Sequence, residues 1–231
     1  MRFHLTLSAA MAATLALTLP ATAQAPRPMS TVTVGEGGSH ILGNPGAAVK
    51  VTEYVSYTCP ACARFSAESS TTLKNSYVAG GRVSTEIRHL VRDPIDLAMA
   101  VAAHCGAPAR FFSRHEALMA EQAAILQRVQ ALPEATRQGW ATGPVEQRLA
   151  RLARDAGVTA WMERRGFTAD QITRCMADRP LQERLIAMSN AARALGVHGT
   201  PSFAINGTLL DEVHSWSGLR PRLDAALAAS R

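Results

Sequence analysis

The stretch Val51-Thr52-Glu53-Tyr54-Val55-Ser56-Tyr57-Thr58-Cys59-Pro60-Ala61-Cys62 constrains this chain more than any other. Its first half is β-branched and aromatic, the composition of a buried strand. Its end is a Cys-x-x-Cys pair, and the residues that follow, Ala63, Arg64, Phe65, Ala67 and Glu68, favour helix. Cys59 is therefore expected where a helix begins, with Pro60 in the first turn, where proline needs no N–H partner. Free backbone N–H groups and the positive end of the helix dipole stabilise an anion at that position. In a Cys-x-x-Cys pair that anion is the first thiolate. The stretch predicts a redox-active dithiol on a strand-to-helix turn.

The chain opens with a charged tip, an apolar run from Leu5 to Leu19 and Ala21-Thr22-Ala23, the pattern of a secretory signal over residues 1–23. The run is short for a membrane span, with an uncleaved anchor as the alternative, and the remainder is expected to be soluble. An exported chain meets an oxidising compartment, where an even set of four cysteines is at home. The expected location is the periplasm. A four-cysteine zinc site would want a second Cys-x-x-Cys, which is absent, so no metal and no cofactor are expected. The net charge of +6 comes from arginines scattered along helical segments. With few aromatic residues, that pattern fits solvated helix faces and no nucleic-acid partner.

Residues 24–40 read as a Gly-rich leader with a possible short strand at Thr31–Val34, and Ile41–Gly46 reads as a turn. A strand at Val49–Tyr57, a helix from Cys62 to about Tyr77 and a strand at Val83–Leu90 have the length of a right-handed βαβ crossover. Residues 94–179 lack strand patterns, and apolar spacings of three and four predict helices throughout. Thr168-Ala169-Asp170-Gln171 is a capping-box pattern opening one of them. A helix over Leu181–Leu195 closes at Gly196, and two short strands flank Asn206-Gly207, a hairpin signal. Pro201 opens that hairpin, where a Thr200–Pro201 bond can be cis. A last helix covers about Leu219–Ala229.

The run Gly43-Asn44-Pro45, the Val51–Cys62 stretch and Gly199-Thr200-Pro201-Ser202-Phe203 together resemble the DsbA-like thiol-disulfide oxidoreductases. The resemblance implies an α/β thioredoxin fold in two segments, 41–93 and 180–231, with a helical insertion at 94–179. It implies an enzyme with Cys59 as the nucleophile and Cys62 as the resolving thiol, separated by Pro60 and Ala61. Pro201 is similar to the family's cis-proline beside the dithiol, and Thr200 would supply a backbone contact and tune the pair. Glu53 matches a buried acidic position that relays the resolving thiol's proton. A strand-edge Glu53 and a trans Pro201 are the plainer alternatives. Relatives that oxidise strongly often carry histidine where Ala61 stands, so this pair is expected to be less oxidising than theirs. Cys105 and Cys175 are similar to a second, structural disulfide found in some relatives, with two buried free thiols as the alternative.

The implied partners are unfolded or partly folded exported proteins and a DsbB-like membrane oxidase. A reductase or isomerase is the main alternative, although the leader is too short for the dimerisation domain of DsbC-type isomerases, which favours a monomer. A Cu(I)-binding thiol protein is the alternative from another class, since soft thiolates suit that ion. His40, His89, His104, His115, His198 and His214 show no ligand spacing and read as surface or satisfied core residues. Only His198, next to the Thr-Pro turn, is placed to approach the dithiol.

Overall fold

The computed structural model describes residues 31–230, so the signal sequence expected over residues 1–23 lies outside them. Six strands form one mixed sheet: β1 (Val32–Val34), β2 (His40–Gly43), β3 (Val49–Val55), β4 (Val83–His89), β5 (Ser202–Ile205) and β6 (Thr208–Leu209). Their spatial order is β1-β2-β4-β3-β5-β6. β3 runs parallel to β4 and antiparallel to β5, which makes it a central strand. Its continuous burial from Glu53 to Val55 follows from that position.

Helix α1 (Pro60–Thr72) makes the β3–β4 crossover and ends in a π-helical turn at Leu73–Val78. Between β4 and the second half of the sheet come α2 (Pro94–His104), α3 (Phe111–Ala131), α4 (Glu134–Gly139), α5 (Val145–Asp155), α6 (Val158–Glu163) and α7 (Ala169–Met176). The expected capping box opens α7, with Thr168 and Gln171 bonding each other's backbone. Helix α8 (Arg179–Ala194) leads into β5, and α9 (Trp216–Ala229) closes the chain. The β5–β6 turn holds Asn206 and Gly207 at φ 51° and 84°, the left-handed pair that a two-residue hairpin needs. Asn206 also bonds both backbone groups of Lys50, at 2.8 Å each, and so fixes the hairpin against β3.

One expectation is corrected. Ile41–Gly46 is not all turn: residues 40–43 are a strand inserted between β1 and β4, and the turn begins after it. Gly43 serves a close approach within that strand, because a Cβ there would stand 2.7 Å from Val78 Cγ1. The short strand expected at Thr31–Val34 is present as the edge strand β1.

The buried core contains a histidine cluster drawn from four elements. His40 of β2 stacks on Phe111 of α3, with ring centroids 3.9 Å apart. His89 at the end of β4 meets His104 at the end of α2, Nε2 to Nε2, at 2.9 Å. His115 Nδ1 meets the Tyr57 hydroxyl at 2.9 Å. Burial drives all four down, His40 and His115 to about 4 and His89 to about 3; the Arg114 charge adds to the effect at His40 and Lys74 at His115. These rings are neutral in the fold but take up protons once the chain unfolds and the ordinary value near 6.5 returns. Their contribution to stability is present above pH 6.5 and is lost as pH falls from there towards 4. The melting temperature is expected to drop across that window. His40→Phe, which keeps the stack and removes one titrating ring, should lessen the drop in melts recorded from pH 7 to pH 4.

Candidate active site

Cys59 is the N-cap of α1 and Pro60 its first residue, as the sequence predicts. Cys59 is 5% exposed and Cys62 is fully buried, so only the first sulfur can meet another molecule's sulfur. Cys59 Sγ lies 3.1 Å from the Thr200 carbonyl oxygen, across the loop before β5. The Thr200–Pro201 peptide is cis, and the Pro201 carbonyl accepts from or faces His214 Nδ1 at 2.8 Å. His198 is exposed; the imidazole bonded beside the cis-proline is His214.

The two sulfurs experience opposite environments. The Cys62 thiol next to Cys59 Sγ lowers its pKa most, and the Thr200 side chain and the Cys62 and Ala61 backbone N–H groups at the start of α1 lower it further. Together these overcome burial and bring Cys59 down to about 5. Burial pushes the Cys62 thiol far up, reinforced by its bond to Cys59 and the charge of Glu53. At neutral pH the pair is one thiolate and one thiol. Glu53, paired in the sheet with Ile87 and Phe203, is buried, and desolvation raises its carboxyl to about 8.

The loop that presents Cys59 is held from two sides by residues the motif does not reveal. On one side, the buried Asp96 of α2 accepts from the Ser56 hydroxyl at 2.6 Å and the Tyr57 N–H at 2.7 Å. Asp93, the N-cap of α2, accepts from the Thr58 hydroxyl at 2.6 Å. On the other side, Gln122 of α3 donates from Nε2 to both the Tyr57 and Cys59 carbonyls, each at 2.9 Å. Asp93-Pro94 carried a helix-start signal that could have drawn attention to it, whereas Gln122 carried none. Cys105, at the C-cap of α2, is disulfide-bonded to Cys175 in α7, with their Cα atoms 5.8 Å apart. Among the described residues, no three His, Cys, Asp or Glu side chains are grouped to hold a metal ion, and no helix is long and apolar enough to cross a membrane.

Residues 35–225 match the thioredoxin family. The chain belongs to that family, and its form is that of the DsbA-like disulfide oxidoreductases. A solved structure of a protein-disulfide isomerase from Novosphingobium aromaticivorans is 40% identical, covers 82% of this chain and 97% of its own, and superposes with a TM-score of 0.78. Alpha-DsbA1 of Wolbachia pipientis, 18% identical over 82% of this chain and 91% of its own, shares the fold with a TM-score of 0.64. A curated protein-disulfide oxidoreductase of Rickettsia bellii is 26% identical over 193 residues, 83% of this chain. The chain spans 65% of that relative's length.

Two titrations check this electrostatic picture. Iodoacetamide alkylation of the reduced protein should follow a single thiolate with a midpoint near pH 5, and Thr200→Val should move that midpoint upward. Glu53 holds its proton in the fold to about pH 8 but releases it near 4.5 when unfolded, so its contribution to stability is lost as pH rises between those values. Glu53→Gln should therefore gain little at pH 4 and up to about 5 kcal/mol above pH 8 in urea denaturation.

Proposed function

We propose that the chain is an exported, periplasmic thiol-disulfide oxidoreductase that introduces disulfides into secreted proteins. The observation that carries this reading is the inequality of the two sulfurs: one near-surface thiolate beside one buried thiol. A stabilised Cys59 thiolate favours the reduced pair, so the Cys59–Cys62 disulfide gives up its oxidising equivalents readily.

In this reading a substrate thiolate attacks Cys59 Sγ of the oxidised enzyme. The Cys59–Cys62 bond breaks, Cys62 leaves as a thiolate, and a mixed disulfide joins Cys59 to the substrate. A second substrate thiolate attacks the substrate's sulfur and expels Cys59 as a thiolate. The substrate loses two electrons to form its disulfide and the enzyme pair gains them. Glu53, protonated near neutral pH, gives its proton to the leaving Cys62. Thr200 and the cis-Pro201 present backbone against which an extended substrate segment can align, and Pro60 and Ala61 shape the turn. The Cys105–Cys175 bond is structural: it closes a 70-residue separation and lies in the helices away from the dithiol. A DsbB-like membrane oxidase would restore the Cys59–Cys62 disulfide, and the protein acts as a monomer without an organic cofactor or metal.

The name of the 40%-identical Novosphingobium structure favours isomerisation as a second reading, in which Cys59 attacks a wrong disulfide and Cys62 provides escape. Equilibration in glutathione buffers separates the two. A potential near or above about −150 mV supports the oxidase, and one near about −180 mV supports the isomerase. A value near thioredoxin's, about −270 mV, would overturn the oxidising direction. Cys59→Ser should abolish exchange, whereas Cys62→Ser should accumulate the mixed disulfide on non-reducing gels.

A further inference from the structure

Glu53 sits buried on a central strand, yet the reading above makes it give up a proton each time the pair is reduced. That proton has to be replaced from solvent. The structure contains a route suited to it next to the carboxyl. Glu53 Oε1 is buried and has no hydrogen-bond partner in the protein. Glu53 lines a cavity of about 20 Å³, room for one water molecule, whose mostly apolar walls carry a row of polar side chains.

That row comes from one face of α1 and the start of the π-helical turn that follows it. Counting outward from Cys62 in steps of four gives Ser66, Ser70 and Lys74, and all three line the cavity. Cys62 is fully buried, Ser66 is 8% exposed and Ser70 is half-buried. Lys74 is exposed enough for its ammonium to meet Glu116 of α3 at 2.7 Å at the protein's surface. The Ser66 and Ser70 hydroxyls are 3.3 Å apart, and Ser70 Oγ donates to the Ser66 carbonyl at 2.7 Å. A hydroxyl both donates and accepts, so a water on Glu53 and two serines in series can pass a proton by reorienting. The Lys74–Glu116 pair leaves the mouth close to neutral, so it repels neither sign of water-borne charge.

We propose that this cavity is the proton entry of the enzyme: solvent protons pass the Lys74–Glu116 mouth, move along Ser70 and Ser66, and reload Glu53 through one held water. The inference rests on Glu53 acting as the acid for Cys62. In the balanced step, the Glu53 carboxyl protonates the Cys62 thiolate and becomes a carboxylate, and one proton taken from solvent restores the carboxyl. The other titratable groups that face Glu53 are Cys62, Tyr57, His115, Lys74 and Glu116. Burial holds His115 neutral and Tyr57 protonated at the pH of the assay, so they do not compete as proton donors.

The test compares two substitutions of nearly equal shape, Ser66→Val and Ser66→Thr, in the full protein turning over at pH 7 between excess dithiothreitol and oxidised glutathione, so that Glu53 has to be reloaded in every cycle. Steady-state rates above the uncatalysed background are taken in H2O and D2O, and the glutathione equilibrium potential is measured alongside. Ser66→Val should slow turnover by about ten-fold and enlarge the solvent isotope effect, and Ser66→Thr should restore the rate to within about two-fold of the original. The potentials of both variants should match the original protein's, because a proton path changes rates and not end states. Equal rates for the Val and Thr variants would overturn the route, whatever the common rate. Glu53→Gln separates this failure from the other: if it reacts as fast as the original, Glu53 is not the acid and the reading beneath the route falls, whereas a slow Glu53→Gln with an indifferent Ser66 pair removes only the route.

Discussion

A negative sulfur at the start of a helix, with its neighbour three residues on kept neutral by burial, is the arrangement around which the molecule is built. The first requirement needs backbone N–H groups converging on Cys59, which the N-cap geometry of α1 provides. The second needs Cys62 to face the interior, one helical turn below the surface. Neither condition survives if the loop between β3 and α1 shifts. That loop is held by direct bonds to two helices from the middle of the chain.

Those bonds explain why the helices between β4 and α8 matter to the chemistry. Asp93 and Asp96 stand at the start of α2 and together satisfy Ser56, Tyr57 and Thr58. Gln122 takes the carbonyls of Tyr57 and Cys59. Buried hydrogen-bonding groups left without partners are costly, so this network fixes the loop in one position. The Cys105–Cys175 disulfide joins the far end of α2 to α7 and so braces the helix whose near end carries the two aspartates.

Much of the candidate site was legible because its signals are local. A strand-to-helix turn, a proline at the first helical position and an Asn-Gly hairpin each announce themselves within a few residues. Glu53 could be placed only through the resemblance, because a single glutamate in a strand carries no mark of burial. The histidines show the limit most clearly. His40, His89, His104 and His115 have no shared spacing, and they meet because β2, β4, α2 and α3 happen to end or cross at one place. The strand at His40–Gly43 was hidden for a related reason: Gly, Asn and Pro promise a turn, and only pairing with β1 and β4 turns residues 40–43 into a strand.

By itself, then, the sequence determined most of the elements and the dithiol, since propensity, capping and turn chemistry act over one or two turns of chain. Only the resemblance implied that a second segment, around Thr200 and Pro201, returns to Cys59. The tertiary structure alone decided the values that make the site work. Burial sets Glu53 and Cys62 apart from Cys59, and burial is a property of everything packed around a residue. The serine-lined cavity beneath Glu53 belongs to the same class, because it exists only where α1, α3 and the sheet leave a gap the size of one water.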